Sequence, residues 1–301
     1  MNLGLVAPYW ETALGYVAQT GLSCLELQAR PGSSLDEARR QPGGAAMIRR
    51  TLERYGVRVC SLMFALNYLQ PGPEGQQARA YLLEMIDLAA ALGVPTVSTT
   101  TGRVWHESFA VNLERYVTFW RPVVRHAAAK GVRIVHENCP HDPWRSPNLA
   151  LNPRWWNALF AALPVDNLGL EFDPSHLVWQ GIDVAEAVRA SKGKIFIVHG
   201  KDCQVDAQRL AQVGCLGDRW WSYRIPGRGQ VDWPALFAAL TEVGFDGDVL
   251  IEHEDEAFGA QSMAAPEQDE ALPLTRLAGD AHGMVQALAL SRAYLEPWIR
   301  P

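Results

Sequence analysis

Short apolar runs rich in Val, Ile and Leu recur along the whole chain, each followed by a longer stretch whose apolar residues fall at helical spacing. Eight runs can be counted, at residues 3–6, 24–27, 57–63, 95–99, 132–137, 168–173, 195–199 and 248–252. Helical patterns lie between them, among them 76–92, 112–130, 153–163, 184–190, 233–243 and 282–295. Gly21, Gly56, Gly93, Gly131 and Gly244 each stand just after a helical pattern and just before a strand, where a left-handed helix stop is expected. Runs that are apolar throughout, rather than alternating, mark strands covered on both faces, as in a parallel sheet. Eight such units in about 250 to 300 residues predict a single-domain (β/α)8 barrel spanning residues 1–301. A doubly wound open sheet is the runner-up. It is weakened by the first turn, Ala7-Pro8-Tyr9-Trp10, which lacks the Gly-x-Gly-x-x-Gly that cradles a dinucleotide.

Composition narrows the partners. Lys and Arg number 27 against 33 Asp and Glu, a net charge of −6, which argues against binding through neutralised nucleic-acid phosphates. No apolar run is long enough to span a bilayer, and Met1 leads directly into Leu3-Gly4-Leu5-Val6 without a basic leader, so a cytoplasmic protein without a membrane partner is expected. The five cysteines, Cys24, Cys60, Cys139, Cys203 and Cys215, are odd in number and show no C-x-x-C spacing, which suggests buried thiols rather than a disulfide framework or a zinc ribbon.

In a barrel the chemistry sits at the C-terminal ends of the strands. Four consecutive predicted strands end in metal-competent side chains: Glu137 in His136-Glu137-Asn138, Asp173 in Glu171-Phe172-Asp173, His199 in His199-Gly200-Lys201-Asp202, and Glu252 in Ile251-Glu252-His253. Three carboxylates and one imidazole suit one divalent ion, Mn²⁺ first, with Mg²⁺, Co²⁺ or Zn²⁺ as alternatives, and leave positions open for substrate oxygens. Three converging anions would repel one another without a cation, which is the physical reason to expect the ion. His136 and His253 alternate away from that point and are read as packing groups, with Asn138 and His253 the neighbours that could poise a ligand glutamate. Glu171, two residues before Asp173, points inward and is expected to pair with Arg133 or to support the metal's ligands. Lys201 either positions substrate or pairs with Asp202 on a loop.

Two long connections stand out. Residues 203–229, after the seventh run, far exceed the roughly 2 to 6 residues usual for a βα loop and suggest a lid. They carry Trp220, Trp221 and Tyr223, while Trp10, Phe64, Trp105, Trp144 and Trp179 follow or adjoin other strand ends. Sugar C–H faces pack on aromatic rings, so Trp105, Trp220 and Trp221 are candidate walls of a pocket larger than a free monosaccharide needs, a packed structural excursion or a buried subunit contact being the alternative. A homo-oligomer is compatible with either. Gly227 and Gly229 read as a turn that starts the next helix, or as an anion nest. Residues 258–281 form a polar insertion before the last helix.

With these motifs the chain resembles the xylose-isomerase-like barrel family of sugar phosphate isomerases and epimerases. The resemblance rests on Glu137-Asn138-Cys139-Pro140, Asp173-Pro174-Ser175-His176-Leu177-Val178-Trp179, His199-Gly200-Lys201-Asp202, Pro226-Gly227-Arg228-Gly229-Gln230-Val231-Asp232-Trp233 and Ile251-Glu252-His253-Glu254-Asp255, in that order. It implies Glu137, Asp173, His199 and Glu252 as metal ligands, Glu137 and Glu252 as an acid/base pair exchanging protons with a substrate carbon, and His176 and Arg224 as substrate-binding groups. The implied activity is metal-dependent isomerisation or epimerisation of a keto or hydroxy-keto sugar in carbohydrate metabolism. A lyase or dehydratase that begins with the same proton abstraction is the alternative. An endonuclease IV-like hydrolase is remote, because the third and fourth strands end in Leu62-Met63-Phe64 and Ser98-Thr99-Thr100 rather than in extra histidines.

Overall fold

The computed structural model describes residues 1–141, 145–191, 193–260 and 281–299. In chain order its elements are β1 (Asn2–Ala7), α1 (Glu11–Thr20), β2 (Cys24–Gln28), α2 (Ser34–Arg39), α3 (Gly44–Tyr55), β3 (Val59–Met63), α4 (Pro73–Leu92), β4 (Thr96–Thr99), α5 (Phe109–Ala129) and β5 (Arg133–Glu137). There follow α6 (Pro153–Ala162), β6 (Leu168–Phe172), α7 (Ser175–Val178), α8 (Val184–Ala190), β7 (Ile195–Gly200), β8 (Asp202–Val205), α9 (Ala207–Val213), β9 (Trp221–Arg224), α10 (Trp233–Glu242), β10 (Asp248–Ile251) and α11 (Ala281–Ile299). Eight parallel strands close in the order β1-β10-β7-β6-β5-β4-β3-β2, one for each predicted apolar run.

The strands form where expected because helices cover their outer face and the barrel interior covers the other; every residue of β6 is buried. Helix boundaries follow local chemistry. Asn152 caps α6 through the Trp155 amide, Asp183 caps α8 through Glu186, and Asp232 caps α10 through Ala235. All five predicted stop glycines adopt left-handed φ, between 65° and 75°.

Residues 203–229 are no open loop. β8 and β9 pair antiparallel as a hairpin with α9 between them. Asp202 anchors its base, accepting from the amides of Gly227 and Val231 and from the Trp233 indole at 2.9–3.0 Å. The Gly227 amide is thereby consumed by a protein carboxylate, which favours the turn over the anion nest. Most of the predicted polar insertion, residues 261–280, and Trp144 lie outside the described residues. Four cysteines are buried and Cys215 is exposed, all as free thiols. Among the described residues no helix is long and apolar enough to cross a membrane.

Candidate metal centre and active site

The ends of β5, β6, β7 and β10 bring Glu137, Asp173, His199 and Glu252 to one point at the barrel mouth. The strand period that turns Glu137 inward turns His136 outward, where its Nε2 lies 3.1 Å from the Tyr116 hydroxyl and its ring packs 4.5 Å from Trp120. Burial pulls the His136 imidazole down to about 3, so it is a neutral packing group. His253, half-buried, is likewise lowered by burial.

Around Nδ1 of His199 stand Oε2 of Glu252 at 3.1 Å, Oε1 of Glu137 at 3.4 Å and Oδ2 of Asp173 at 3.8 Å. Ligand bonds of about 2.1 Å imply separations of roughly 3.0 to 3.4 Å between neighbouring donors. The donor set therefore fits one divalent ion with little adjustment. His199 Nδ1 and Asp173 Oδ2 are buried and make no hydrogen bond, the condition in which a polar atom calls for a further partner. The other oxygen of Asp173 is taken, since Oδ1 accepts from the Ser175 amide at 2.8 Å and its hydroxyl at 2.6 Å. Asn138 fixes the Asp173 backbone through its N–H at 2.7 Å and its C=O at 2.8 Å.

Lys201 enters this cluster and corrects the charge balance expected from sequence. It does not pair with Asp202. Its ammonium donates to Glu252 Oε2 at 2.6 Å and Glu254 Oε2 at 2.8 Å, and lies 2.9 Å from Asp173 Oδ2 without hydrogen-bond geometry. The converging anions thus already face one cation. Burial alone would raise the carboxyls, but His176 and His199 hold Glu137 below the usual carboxylate range, His176 and Lys201 hold Asp173 well below it, and Lys201 and His199 lower Glu252. Burial opposes charge on His199 and Lys201, yet the surrounding carboxylates hold both well above their ordinary values. Burial raises Glu254.

His176, in the single turn α7, lies with Nε2 3.1 Å from Asp173 Oδ2 and 3.7 Å from Glu137 Oε1. The hairpin covers it from above. The Tyr223 hydroxyl is 2.8 Å from His176 Nδ1, and the Tyr223 ring stands 4.6 Å from the Lys201 ammonium. Trp221 stacks on Trp179 at 5.0 Å with the planes 7° apart and meets Tyr223 edge-on at 4.9 Å, while Trp220 is buried edge-on against Trp179. Arg224 ties the hairpin to the end of β10 through Asp255 at 3.5 Å and bonds Gln204 of the facing hairpin strand at 3.1 Å. Trp105 is 53% exposed, and its ring faces His106 and the Arg145 guanidinium. Phe64 packs into the core against Tyr81.

Glu171 points inward as expected, but the pairing with Arg133 does not form. Glu171 is level with Glu137 in the β5–β6 register, four residues beyond Arg133, or about 13 Å along the strand. Arg133 instead lies at the opposite rim over the Phe196 ring, bonded to Thr96. Glu171 accepts from the Ser98 hydroxyl and lies 3.4 Å from His199 Nε2. Burial, and then the charge of Glu26, raises its carboxyl well above the usual range. Glu26 in β2, unremarked in the sequence reading, reaches His199 Nε2 at 3.2 Å. Its one sequence signal is an acid inside the otherwise apolar run Cys24-Leu25-Glu26-Leu27. Glu254, and Tyr223 as a partner of His176, carried no signal beyond their neighbourhood.

The family described as xylose isomerase-like TIM barrel matches residues 14–276. Uncharacterized protein YfiH of Bacillus subtilis is 28% identical over 285 residues, covering 82% of this chain and 88% of that protein. A stretch of 95 residues is 30% identical to inosose dehydratase of Lacticaseibacillus casei, 30% of this chain and 32% of that one. Among solved structures, the IolI protein with a bound zinc atom is similar with a TM-score of 0.75 at 18% identity, over 99% of both chains. D-psicose 3-epimerase of Clostridium cellulolyticum H10 is similar with a TM-score of 0.68 at 17% identity, over 98% of this chain and 99% of that one.

Proposed function

From the premise that the chain belongs to the xylose isomerase-like TIM barrel family, we propose that it is a divalent-metal-dependent isomerase or epimerase that transfers a proton beside the carbonyl of a keto or hydroxy-keto sugar. The observation that carries this reading is the pair Glu137 and Glu252, whose carboxylates approach the same imidazole nitrogen from different strands at 3.4 and 3.1 Å. Glu137, Asp173, His199 and Glu252 would hold one ion, with manganese the first choice for three carboxylates and one imidazole. Such an ion, when bound, supplies the electrophile that polarises a substrate oxygen and makes the neighbouring C–H acidic. Glu137 takes a proton from a substrate carbon and Glu252 returns one, or the reverse. Lys201 holds the Glu252 oxygen in place, and His176 orients a substrate hydroxyl from its Nε2 edge. The stacked Trp179 and Trp221 form a wall for the sugar face or for a group attached to it.

The experiment is incubation of metal-loaded protein with a panel of keto sugars and 3-keto-glycosides in D₂O, followed by NMR. Deuterium at the carbon beside the carbonyl supports the reading. Metal-loaded Glu137→Gln or Glu252→Gln retaining near-wild-type exchange would remove that glutamate from its role, and Asp173→Ala binding metal as tightly as wild type would remove the ligand set. A lyase reading is favoured by Lys201, whose ammonium, bonded to Glu254 at 2.8 Å beside Glu252, suits protonation of a departing hydroxyl. In the same experiment it is marked by a product lighter by one water.

A further inference from the structure

Beneath the four-donor ring lies a polar layer that the proposed proton transfer does not use. Glu26 and Glu171 are fully buried in the barrel interior. Each follows a break in strand register, between Leu25 and Glu26 where β2 meets β3, and between Leu170 and Glu171 where β6 meets β7. Such irregularities re-aim a side chain. Here both carboxylates turn to the edge of His199 that faces away from the ring, with Glu26 Oε1 at 3.2 Å and Glu171 Oε1 at 3.4 Å from Nε2. Ser98 holds the other oxygen of Glu171. Glu26 Oε2 is buried and makes no hydrogen bond. Two acids placed in a barrel core work against stability unless they act on something, and the group they share is this imidazole.

We infer that Glu26 is a positioning residue for metal capture. An imidazole that holds a metal ion has given up the proton of the nitrogen that binds and keeps one N–H on the other. By accepting from Nε2, Glu26 leaves Nδ1 as the bare nitrogen and aims it at Glu137, Asp173 and Glu252. Glu171, locked by Ser98, closes the other side of the same ring edge. The effect crosses the barrel interior from β2 to β7. The inference rests on the metal reading proposed above.

The test uses zinc, which is diamagnetic, with the full chain. Chelator competition on Glu26→Gln should show zinc bound roughly 10- to 100-fold more weakly than by wild type, the range expected for losing such a partner of a ligand histidine. Nitrogen-15 NMR of zinc-loaded wild type, with the resonance assigned through His199→Gln, should show a proton on Nε2 at low field and in slow exchange with water, and zinc on Nδ1. In Glu26→Gln that proton should move upfield and exchange faster, a change that a purely packing role for Glu26 does not produce. Should Glu26→Gln fail to fold, the wild-type spectrum still decides. Three results overturn the inference: Nε2 as the zinc-bound nitrogen, wild-type zinc affinity in Glu26→Gln, or a second zinc per chain that is lost in Glu26→Gln. Wild type binding no zinc, manganese or other divalent ion overturns the metal reading as well, whereas unchanged affinity in the variant removes Glu26 alone.

Discussion

The hydroxyl of Tyr223 lies 2.8 Å from Nδ1 of His176. Tyr223 belongs to the hairpin inserted after β7, and His176 to the turn that follows β6, so this contact fastens the hairpin to the barrel mouth. It also fixes which edge of His176 would meet a substrate hydroxyl in the proposed reaction. Removing it should cost about one ordinary hydrogen bond. Tyr223→Phe is expected to raise KM roughly threefold to tenfold with metal content unchanged. Steady-state kinetics beside elemental analysis check this; loss of metal in the variant would show that the tyrosine serves the ligands instead.

The aromatic wall makes a second expectation. Trp221 is half-buried and stacked on Trp179, with Tyr223 against its edge. Trp221→Ala should lower kcat/KM on an extended substrate more than on a free keto sugar, leaving fold and metal intact. Full activity combined with dissociation into smaller species would instead assign the tryptophans to a subunit contact.

Lys201 is enclosed by Asp173, Glu252 and Glu254. Lys201→Met leaves the buried Asp173 and Glu252 and the half-buried Glu254 short of their organic cation, a loss of about 3 to 5 kcal/mol for a buried pair broken on one side. In chelator the variant should melt roughly 5 to 10 °C below wild type. Added manganese should recover most of that difference, because a divalent charge serves the same oxygens. Differential scanning calorimetry with and without the ion reads both effects, and equal melting of variant and wild type in chelator would contradict them.

His136 supplies a pH dependence with a definite sign. Its imidazole is held near 3 in the folded protein by burial, against an ordinary value of about 6.5, so between those values the unfolded chain binds the extra proton. Its contribution to stability is complete above about pH 6.5 and falls as the pH drops toward 3. From pH 6.5 to pH 5 the loss is about 2 kcal/mol. Urea unfolding at the two pH values, in wild type and in His136→Phe, should differ by that amount in the loss of stability, because Glu171 and His199, held above their ordinary values and so opposite in sign, titrate alike in both.

The expected and observed layouts part company at particular residues. Glu137, Asp173, His199 and Glu252 were legible because each ends an apolar run, and a barrel sends equivalent strand ends to one place. Arg133 was assigned to Glu171 on side-chain direction alone. The register then put them at different heights, and the partners became Thr96 for one and Ser98 for the other. Lys201 could be placed on a strand end but not given partners, since Glu254 and Asp173 come from strands on either side of its own.

Sequence by itself determined the barrel, its strand and helix order, the glycine stops and the inward or outward sense of most strand-end residues. Those are consequences of periodicity and capping, which act over a few neighbouring residues. Tertiary structure alone decided that Glu26 crosses the interior to His199, that a lysine shares the carboxylate cluster, and that the long connection folds as a hairpin over His176. Each depends on the stagger between strands far apart in the chain and on two local register breaks, and a charge buried inside a closed barrel takes whichever partner that stagger brings within about 3 Å.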